Sequence, residues 1–454
     1  MKNMPPIKNL TLALLALVLS AALLSAQEKL TLQQAVQKAL QSNPELAIDA
    51  PAREAANSEL AASRAGYLPR LDVEQSILGG NNPVYVFGTL LTQRRFTAAN
   101  FALPSLNTPD VLGNLQTRVL AQQNIWDFGR TRQRMEAARL GIEMTDRGHE
   151  DHLRQTLLAV IEAYYSVSLS REALEAAKAA LQSSEAMVKQ AQARVESGLA
   201  VEADLLRSQV YLASARQQEI QARGQSEFAR AALNRLMGHA LDRSFGETVP
   251  LTPATYSLPS GDTLLAELGK RRPDYLRLQA EVRQAELEVH GRQTQFLPTL
   301  GAFAAWEADN PSFKEAGGNN WTAGLSLRWN VFAGGSDSAI LQAARHRLEQ
   351  KQRQLKAMES AMALEVHKAL IQVRSAEQQV QAMQAAEAQS QEGLRILKNR
   401  YEAGLATMTD LLSAEAARSA ARTALAEAIY RHRLSCAQLE YAAGILGPNS
   451  AAMR

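Results

Sequence analysis

Two histidines stand three positions apart in His149-Glu150-Asp151-His152. A helical zinc pattern sets its histidines four apart on one face, adds a further ligand and keeps a coordination position open. With a spacing of three and no third ligand in view along the chain, this motif reads as a solvated helix face, and no metal is expected. Cys436 is the only cysteine, which rules out an internal disulfide framework in an exported chain. No phosphate loop, nucleophile triad or dinucleotide fingerprint occurs. The sequence therefore offers neither catalytic machinery nor a cofactor site nor an energy source, and any work in which the protein takes part must be done by a partner.

The remaining polar residues of interest sit in a repeated turn. Arg194–Leu206 reads RVESGLAVEADLL and Arg400–Leu412 reads RYEAGLATMTDLL, with eight of thirteen positions identical at an offset of 206. The offset also relates Gly129 to Gly335 and Gly238 to Gly444, whereas Pro44 and Leu68-Pro69 match Pro273 and Leu297-Pro298 at an offset of 229. The first copy thus carries 23 extra residues between Pro69 and Ile125. A length change confined to one place marks a surface loop, and internal repetition on this scale sets the plan of the fold.

Each copy reads as a short helix, a second helix starting at a proline, a β-hairpin, a long helix, the Gly-Leu-Ala turn and a return helix. The expected bounds in the first repeat (27–238) are a hairpin at about 70–126, a long helix at 130–197 and a return helix at 202–237. In the second repeat (261–447) they are a hairpin at about 299–331, a long helix at 336–403 and a return helix at 408–443. A proline-bearing linker, 239–260, joins the repeats, and 448–454 forms a short tail. Gly129 to Gly198 and Gly335 to Gly404 are each 69 residues apart, which as helix is roughly 100 Å. Ala, Gln, Glu, Arg and Leu dominate these stretches, as on solvated coiled-coil faces.

The strands explain where the aromatic residues went. Aromatic residues make up only 5% of the chain, yet Trp126, Trp306, Trp321 and Trp329 all fall in expected strands, with eight of ten phenylalanines close by. In WTAGLSLRWNV (321–331) apolar and polar residues alternate strictly over eleven positions, matching a tilted membrane strand of ~9–11 residues. Aromatics at strand ends fit the interfacial girdle of an outer-membrane barrel. A soluble β-sandwich would use the same alternation, but Arg118, Gln122, Asn124 and Arg328 on the polar faces fit a wet lumen. Four strands cannot close a barrel. A dimer would fill its interior with side chains, whereas a homotrimer gives twelve strands and a pore, so closed three-fold assembly is expected.

Residues 1–26, with Lys2 and Lys8 before an uncharged run from Leu10 to Ala26, read as a secretory signal peptide without a terminal cysteine for lipidation. Without it, 47 basic residues face 46 acidic ones, a near-neutral balance that argues against nucleic acid as a partner.

In their order and duplication, LTLQQAVQKALQSNPEL, GYLPRL, FLPTL, WDFGR, FAGG and RYEAGLATMTDLL resemble the TolC-type outer-membrane factor family from Leu30 to about Gly447. The segment 82–107 is similar to the outer loop of some members. The resemblance implies a mainly α chain with a small β part, forming a trimeric twelve-stranded outer-membrane β-barrel continuous with a long periplasmic α-helical barrel. It implies a passive efflux or type I secretion duct, contacting outer-membrane lipid and joined through a periplasmic adaptor (membrane fusion protein) to an inner-membrane pump. A structural or adhesive trimeric coiled coil of the envelope is the alternative; it predicts unbroken heptads and no duplicated hairpin.

The resemblance also implies site residues. Gly198, Leu199, Ala200, Gly404, Leu405 and Ala406 fall at the adaptor-docking tip. Asp410 falls at the narrow periplasmic entrance, although Thr407 three residues earlier equally makes it a helix-capping acid; the second acid of some members is Ser413 here. Tyr401 and Asp204 match residues that hydrogen-bond between neighbouring helix pairs in a closed gate. The basic residue that usually joins them is replaced by Ala406, so a weaker gate is expected.

Overall fold

The computed structural model describes residues 29–253, 256–257 and 260–453, and the expected signal peptide lies outside them. In chain order the principal elements are α1 (Leu32–Ser42), α2 (Asp49–Arg64), β1 (Arg70–Gly80), α3 (Pro83–Thr92), α4 (Leu103–Asn107), β2 (Leu112–Trp126), α5 (Arg130–Glu196) and α6 (Glu202–Leu236). They continue with α7 (Gly261–Arg271), α8 (Pro273–Thr294), β3 (Thr299–Asn310), β4 (Gly318–Arg328), α9 (Ser336–Glu402) and α10 (Met408–Ala442). The second copy therefore repeats the first element by element, save for α3 and α4, which lie within the longer β1–β2 connection. Among the described residues no helix is long and apolar enough to cross a membrane.

The chain divides into two compact units. One comprises Pro51–Asp146 and Arg277–Lys356 and holds all four strands, in the antiparallel order β1-β2-β3-β4. The two hairpins form a single sheet because β2 also pairs with β3, for example Val119 with Trp306. Among the described residues, β1 and β4 each keep one unpaired edge. The register puts Leu71, Val73 and Ile77 of β1 beside Leu115, Val119 and Ala121 of β2, then Leu300, Ala304 and Trp306 of β3, then Leu327, Ala323 and Trp321 of β4. The opposite face carries Glu74, Arg118, Glu307 and Asn320 in one row, with Arg118 and Glu307 ion-paired at 3.1 Å.

Two details at the strand ends depart from simple alternation. β4 stops at Arg328, so Trp329 lies just beyond it, where its Nε1 donates to the Phe296 carbonyl at 3.0 Å. Between Asn124 and Trp126 the register slips by one residue and sets Trp126 opposite Leu300. Uninterrupted pairing would have put Trp126 on the polar side with Asn124; the bulge returns it to the apolar side.

The other unit comprises the chain up to Ala50, Arg147–Leu276 and the chain from Ala357. α1 starts in a capping box, in which Thr31 Oγ1 accepts from the Gln34 amide at 3.2 Å and the Thr31 amide donates to Gln34 Oε1 at 2.9 Å. Its buried stripe is Leu32, Ala35, Val36 and Ala39. The short helices meet the return helices end to end, in the same way in both copies. Asn43 Nδ2 donates to the Leu236 carbonyl at 3.0 Å, and at the matching positions Arg272 Nη1 donates to the Ala442 carbonyl at 3.2 Å. The last carbonyls of a helix, which have no partner within it, thus find one just past the short helix that opens the same copy. Arg272 is itself held by Asp274 and Glu365 at 2.7 and 2.5 Å. Tyr164 of α5 donates to the Leu30 carbonyl at 2.8 Å and accepts from the Val249 amide at 3.1 Å, anchoring the start of the described chain and the inter-repeat segment.

Gly238 closes the first joint at φ +69°, and a Cβ there would stand 2.1 Å from the Ser42 carbonyl oxygen. Gly198 has nearly the same φ, +70°, with nothing within 4 Å of a Cβ. Gly198→Ala should therefore cost only the left-handed strain, about 1–2 kcal/mol, whereas Gly238→Ala must also displace backbone. Thermal unfolding of the two purified variants should show a clearly larger loss for Gly238→Ala; equal losses would show that the joint does not require the close approach.

Candidate functional site

The Gly-Leu-Ala turns have one local design. Gly198 and Gly404 adopt φ +70° and +75°, the left-handed conformation that glycine adopts without a steric penalty. The Leu199 amide donates to the Arg194 carbonyl at 2.8 Å and the Gly198 amide to Val195 at 3.0 Å, with counterparts Leu405 to Arg400 at 2.7 Å and Gly404 to Tyr401 at 3.1 Å. This is the double closure of a helix C-terminus. It leaves Leu199 and Leu405 turned outward, 73% and 70% exposed. Ala200 and Ala406 are half-buried, and Ala406 packs on the cluster beneath the turns. That cluster unites both copies: Met187 and Ala191 of α5, Leu394 and Tyr401 of α9, Met408 and Leu411 of α10, with Leu205 of α6 against it.

The copies differ after the turn. Val201 gives the start of α6 no side-chain cap, and Glu202 and Asp204 in its first turn complement the helix dipole. In the second copy Thr407 and Asp410 form a capping box. Asp410 Oδ2 accepts from the Thr407 amide at 2.9 Å and its hydroxyl at 2.7 Å, while the Asp410 amide donates to Thr407 Oγ1 at 3.2 Å. The Thr407 hydroxyl, then its amide, hold the Asp410 carboxyl below its usual range.

Tyr401 and Asp204 are not brought together within the protomer. Tyr401 is buried, its ring under the Arg194 guanidinium at 4.7 Å, and Arg194 Nη1 donates to the Tyr401 carbonyl at 3.1 Å. Asp204 faces Arg207 at 3.8 Å, and Arg207 Nη1 donates to Thr409 Oγ1 at 3.2 Å, linking α6 to α10. The basic partner of Tyr401 is thus Arg194, from the other copy. Its only signal in the sequence is the match of Arg194 to Arg400, and spacing along one repeat cannot show a contact made across the two.

The histidine motif lies on an exposed helix face, as expected, and is also tied to another helix. Nδ1 of His149 and of His152 lie 2.8 and 2.9 Å from the two carboxylate oxygens of Asp49, which is 9% exposed. Burial alone would raise the Asp49 pKa, but the two imidazole hydrogen bonds outweigh it and lower the pKa. An ionised carboxylate only accepts, so both Nδ1 atoms carry the proton. They clasp the first residue of α2 to α5; the third group, missing along the chain, comes from a distant helix.

At the sheet, the apolar side is exposed: Val73 70%, Ile77 69%, Trp321 78% and Leu325 72%. An apolar strand face, most exposed along β1 and β4, opposed by a charged face and bounded by two open edges, defines a strand-built membrane channel carried on helical hairpins. The sequence model of the outer membrane efflux protein family matches residues 35–239 and 264–445, and the chain belongs to that family. Among curated relatives it is similar to alkaline protease secretion protein AprF of Pseudomonas aeruginosa, at 27% identity over 72% of this chain and 68% of that protein. It is also similar to protein CyaE of Bordetella pertussis, at 26% identity over 91% and 82% respectively. In fold it matches the CmeC outer membrane channel of Campylobacter jejuni with a TM-score of 0.79 at 19% identity, over 92% of this chain and 87% of that one. The chain is an outer-membrane efflux protein that spans the outer membrane and reaches into the periplasm.

Two measurements check the tip. Arg194→Ala removes a cation–π contact of about 0.5–1 kcal/mol as well as a hydrogen bond. It should speed amide exchange at residues 401–411, whereas Tyr401→Phe keeps both contacts and should leave exchange within twofold. Because the Asp410 pKa is lowered in the folded chain, its contribution is complete above its ordinary value of 3.8 and lost as pH falls through the lower folded value. The stability advantage of wild type over Asp410→Asn should therefore be largest near neutrality and shrink below pH 3.8.

Proposed function

We propose that the protein works as a passive homotrimeric exit duct, coupled through a periplasmic adaptor to an inner-membrane pump. The observation that carries this reading is the sheet: two unpaired edges beside an exposed apolar face. In hydrocarbon an open edge leaves amides and carbonyls without partners, so membrane strands must close into a barrel. Three copies would close β4 of one protomer on β1 of the next and give twelve strands from three times four, wide enough for a water-filled pore. The apolar face would meet lipid, and the face with Arg118 and Glu307 would line the lumen.

The tryptophans support two interfacial belts. Trp306 pairs with Trp321, while Trp126 lies opposite Leu300, six residues further along β3, or about 20 Å along the strand. With Trp329 just past β4, this separation fits an apolar band about 25 Å tall.

At the helical end, Leu199 and Leu405 are apolar knobs on glycine-fixed turns, suited to packing against an adaptor hairpin. Asp410 would form a ring of three carboxylates at the entrance, since its capping bonds leave its charge in place. Tyr401 and Asp204 would contribute to closure from opposite sides of each tip. Arg194 holds Tyr401 in position, and Asp204, beside Arg207 on its own helix, would turn to a neighbouring protomer.

Purified protein should run as a heat-modifiable trimer and conduct ions across planar bilayers; a non-conducting monomer would exclude the duct. With trimer yield unchanged, Leu405→Arg should abolish transport of the pump's cargo and the crosslink to the adaptor from a photoreactive group at position 405. Asp410→Ala should at least halve the cation preference read from reversal potentials, as loss of a charged pore ring would; an unchanged preference would place Asp410 away from the pore.

A further inference from the structure

The longer β1–β2 connection folds back across the sheet, on one particular side. Gln93, at the C-terminal end of α3, donates through Nε2 to the Gly113 carbonyl at 2.9 Å and to Asn114 Oδ1 at 3.0 Å. Asn114 Nδ2 donates to Asp309 Oδ1 at 2.6 Å, and Gln116 Nε2 to the same oxygen at 3.1 Å. Across the sheet, Arg94 Nη2 donates to the Asn319 carbonyl at 2.9 Å and Asn320 Nδ2 reaches the Thr92 carbonyl at 3.5 Å. Gly318 permits this fit, since a Cβ there would stand 2.1 Å from Thr92 O. By register, Asn114, Gln116, Asp309 and Asn320 share the face of Arg118 and Glu307. The segment therefore seats on the polar face, from β2 to β4, at the strand ends away from the attached helices.

α3 has an unusual polarity for such a position. Val86, Thr89 and Gln93 are buried against the strands. Val84, Phe87 and Leu91, spaced three and four apart and so on the opposite stripe, are 82%, 36% and 50% exposed. Phe87 is braced edge-to-face by Phe96 at 4.9 Å, and Phe96 by Phe101 at 5.1 Å. A helix whose back lies on the luminal side of a barrel wall turns its other stripe toward the barrel axis.

We propose that residues 82–107 form an apolar constriction at the external mouth of the duct, its occupant being the same stripe of the other two copies. This rests on the barrel and trimer reading above. Val84, Phe87 and Leu91 from three protomers would ring the exit with side chains that hold no water, so that a narrow passage dewets. The hydrogen bonds through Gln93, Asn114 and Asp309 hold each α3 to its own wall, so the ring needs no passenger to form. The second repeat has no counterpart of α3, and the constriction is therefore three-fold.

The test is cysteine accessibility in intact cells, using membrane-impermeant maleimides of small and polymer-conjugated size. Ser326→Cys places the thiol on the polar face near the inner end of β4; the native Cys436 is buried, and burial pushes its thiol up to about 12. Two backgrounds open the mouth: Val84→Asp with Leu91→Asp, both at exposed positions, and replacement of 83–107 by a short Gly-Ser turn. Both should raise labelling of Ser326→Cys by the bulky reagent roughly tenfold, as removal of an apolar constriction implies. A bulky-reagent rate that changes in neither background overturns the constriction. Leu325→Cys, on the apolar face, separates this outcome from failure of the barrel itself. If it resists aqueous reagents while Ser326→Cys ignores the mouth variants, the barrel stands and only the constriction falls. If it labels as fast as Ser326→Cys, the barrel reading falls first.

Discussion

The backbone hydrogen bond is the constraint on which the rest of this structure depends. Water satisfies an exposed strand edge in a soluble protein, but hydrocarbon cannot. This chain builds a sheet with two open edges and an exposed apolar face bearing Val73, Ile77, Trp321 and Leu325. A single copy cannot put that face in lipid without stranding the outer amides and carbonyls of β1 and β4. Duplication halves the problem by uniting two hairpins through β2 and β3, and assembly of copies resolves the remainder. The proposed trimeric duct would thus follow from unsatisfied peptide groups rather than from any dedicated binding residue.

The helical part solves the same problem at helix ends. A return helix that simply stopped would leave its last carbonyls without partners. Here each one abuts the short helix that opens its own copy, and a side chain reaches across: Asn43 to Leu236, Arg272 to Ala442. The two copies use different residues for one geometric task. Asn43 does it with a neutral amide; Arg272 does it with a buried guanidinium that then requires Asp274 and Glu365 around it. Burial of a charge is tolerated where its partners come with it. What the duplication kept is the backbone approach, marked by Gly238 and Gly444, more strictly than the side chains that seal it.

What was legible in the sequence follows from this distinction. Period-two alternation showed β4, the glycine offsets showed the long helices and the turns, and the duplicated prolines showed where the short helices end, because each is a local signal with one physical cause, although the helix after Pro44 starts only at Asp49. The union of β2 with β3, the bulge that returns Trp126 to the apolar face, and the seating of Gln93 on Asn114 were not legible. Each depends on which residues meet across the fold. The tip shows both situations at once. Thr407 and Asp410 are three apart, and their capping box could be read directly. Tyr401 was expected to bond with Asp204 between neighbouring helix pairs, and the contact that holds it within the protomer, Arg194 from the other copy, was not legible. The His149 and His152 pair needed Asp49, about a hundred residues away, before it made sense as a clasp.

The tip also shows why a repeat need not be a symmetry. Two identical Gly-Leu-Ala turns end helices of equal length, so a sixfold ring of equivalent hairpins was open to this sequence. It is broken by very few residues. Val201 leaves the first return helix uncapped and Thr407 caps the second; Val195 occupies the place where Tyr401 fills the shared cluster. The capped, aromatic-anchored turn is fixed by its own hydrogen bonds and by Arg194, whereas the uncapped one relies on Glu202 and Asp204 at its dipole. In the proposed trimer the capped turns would hold still and the uncapped ones would move, the division that an entrance able to open without falling apart requires.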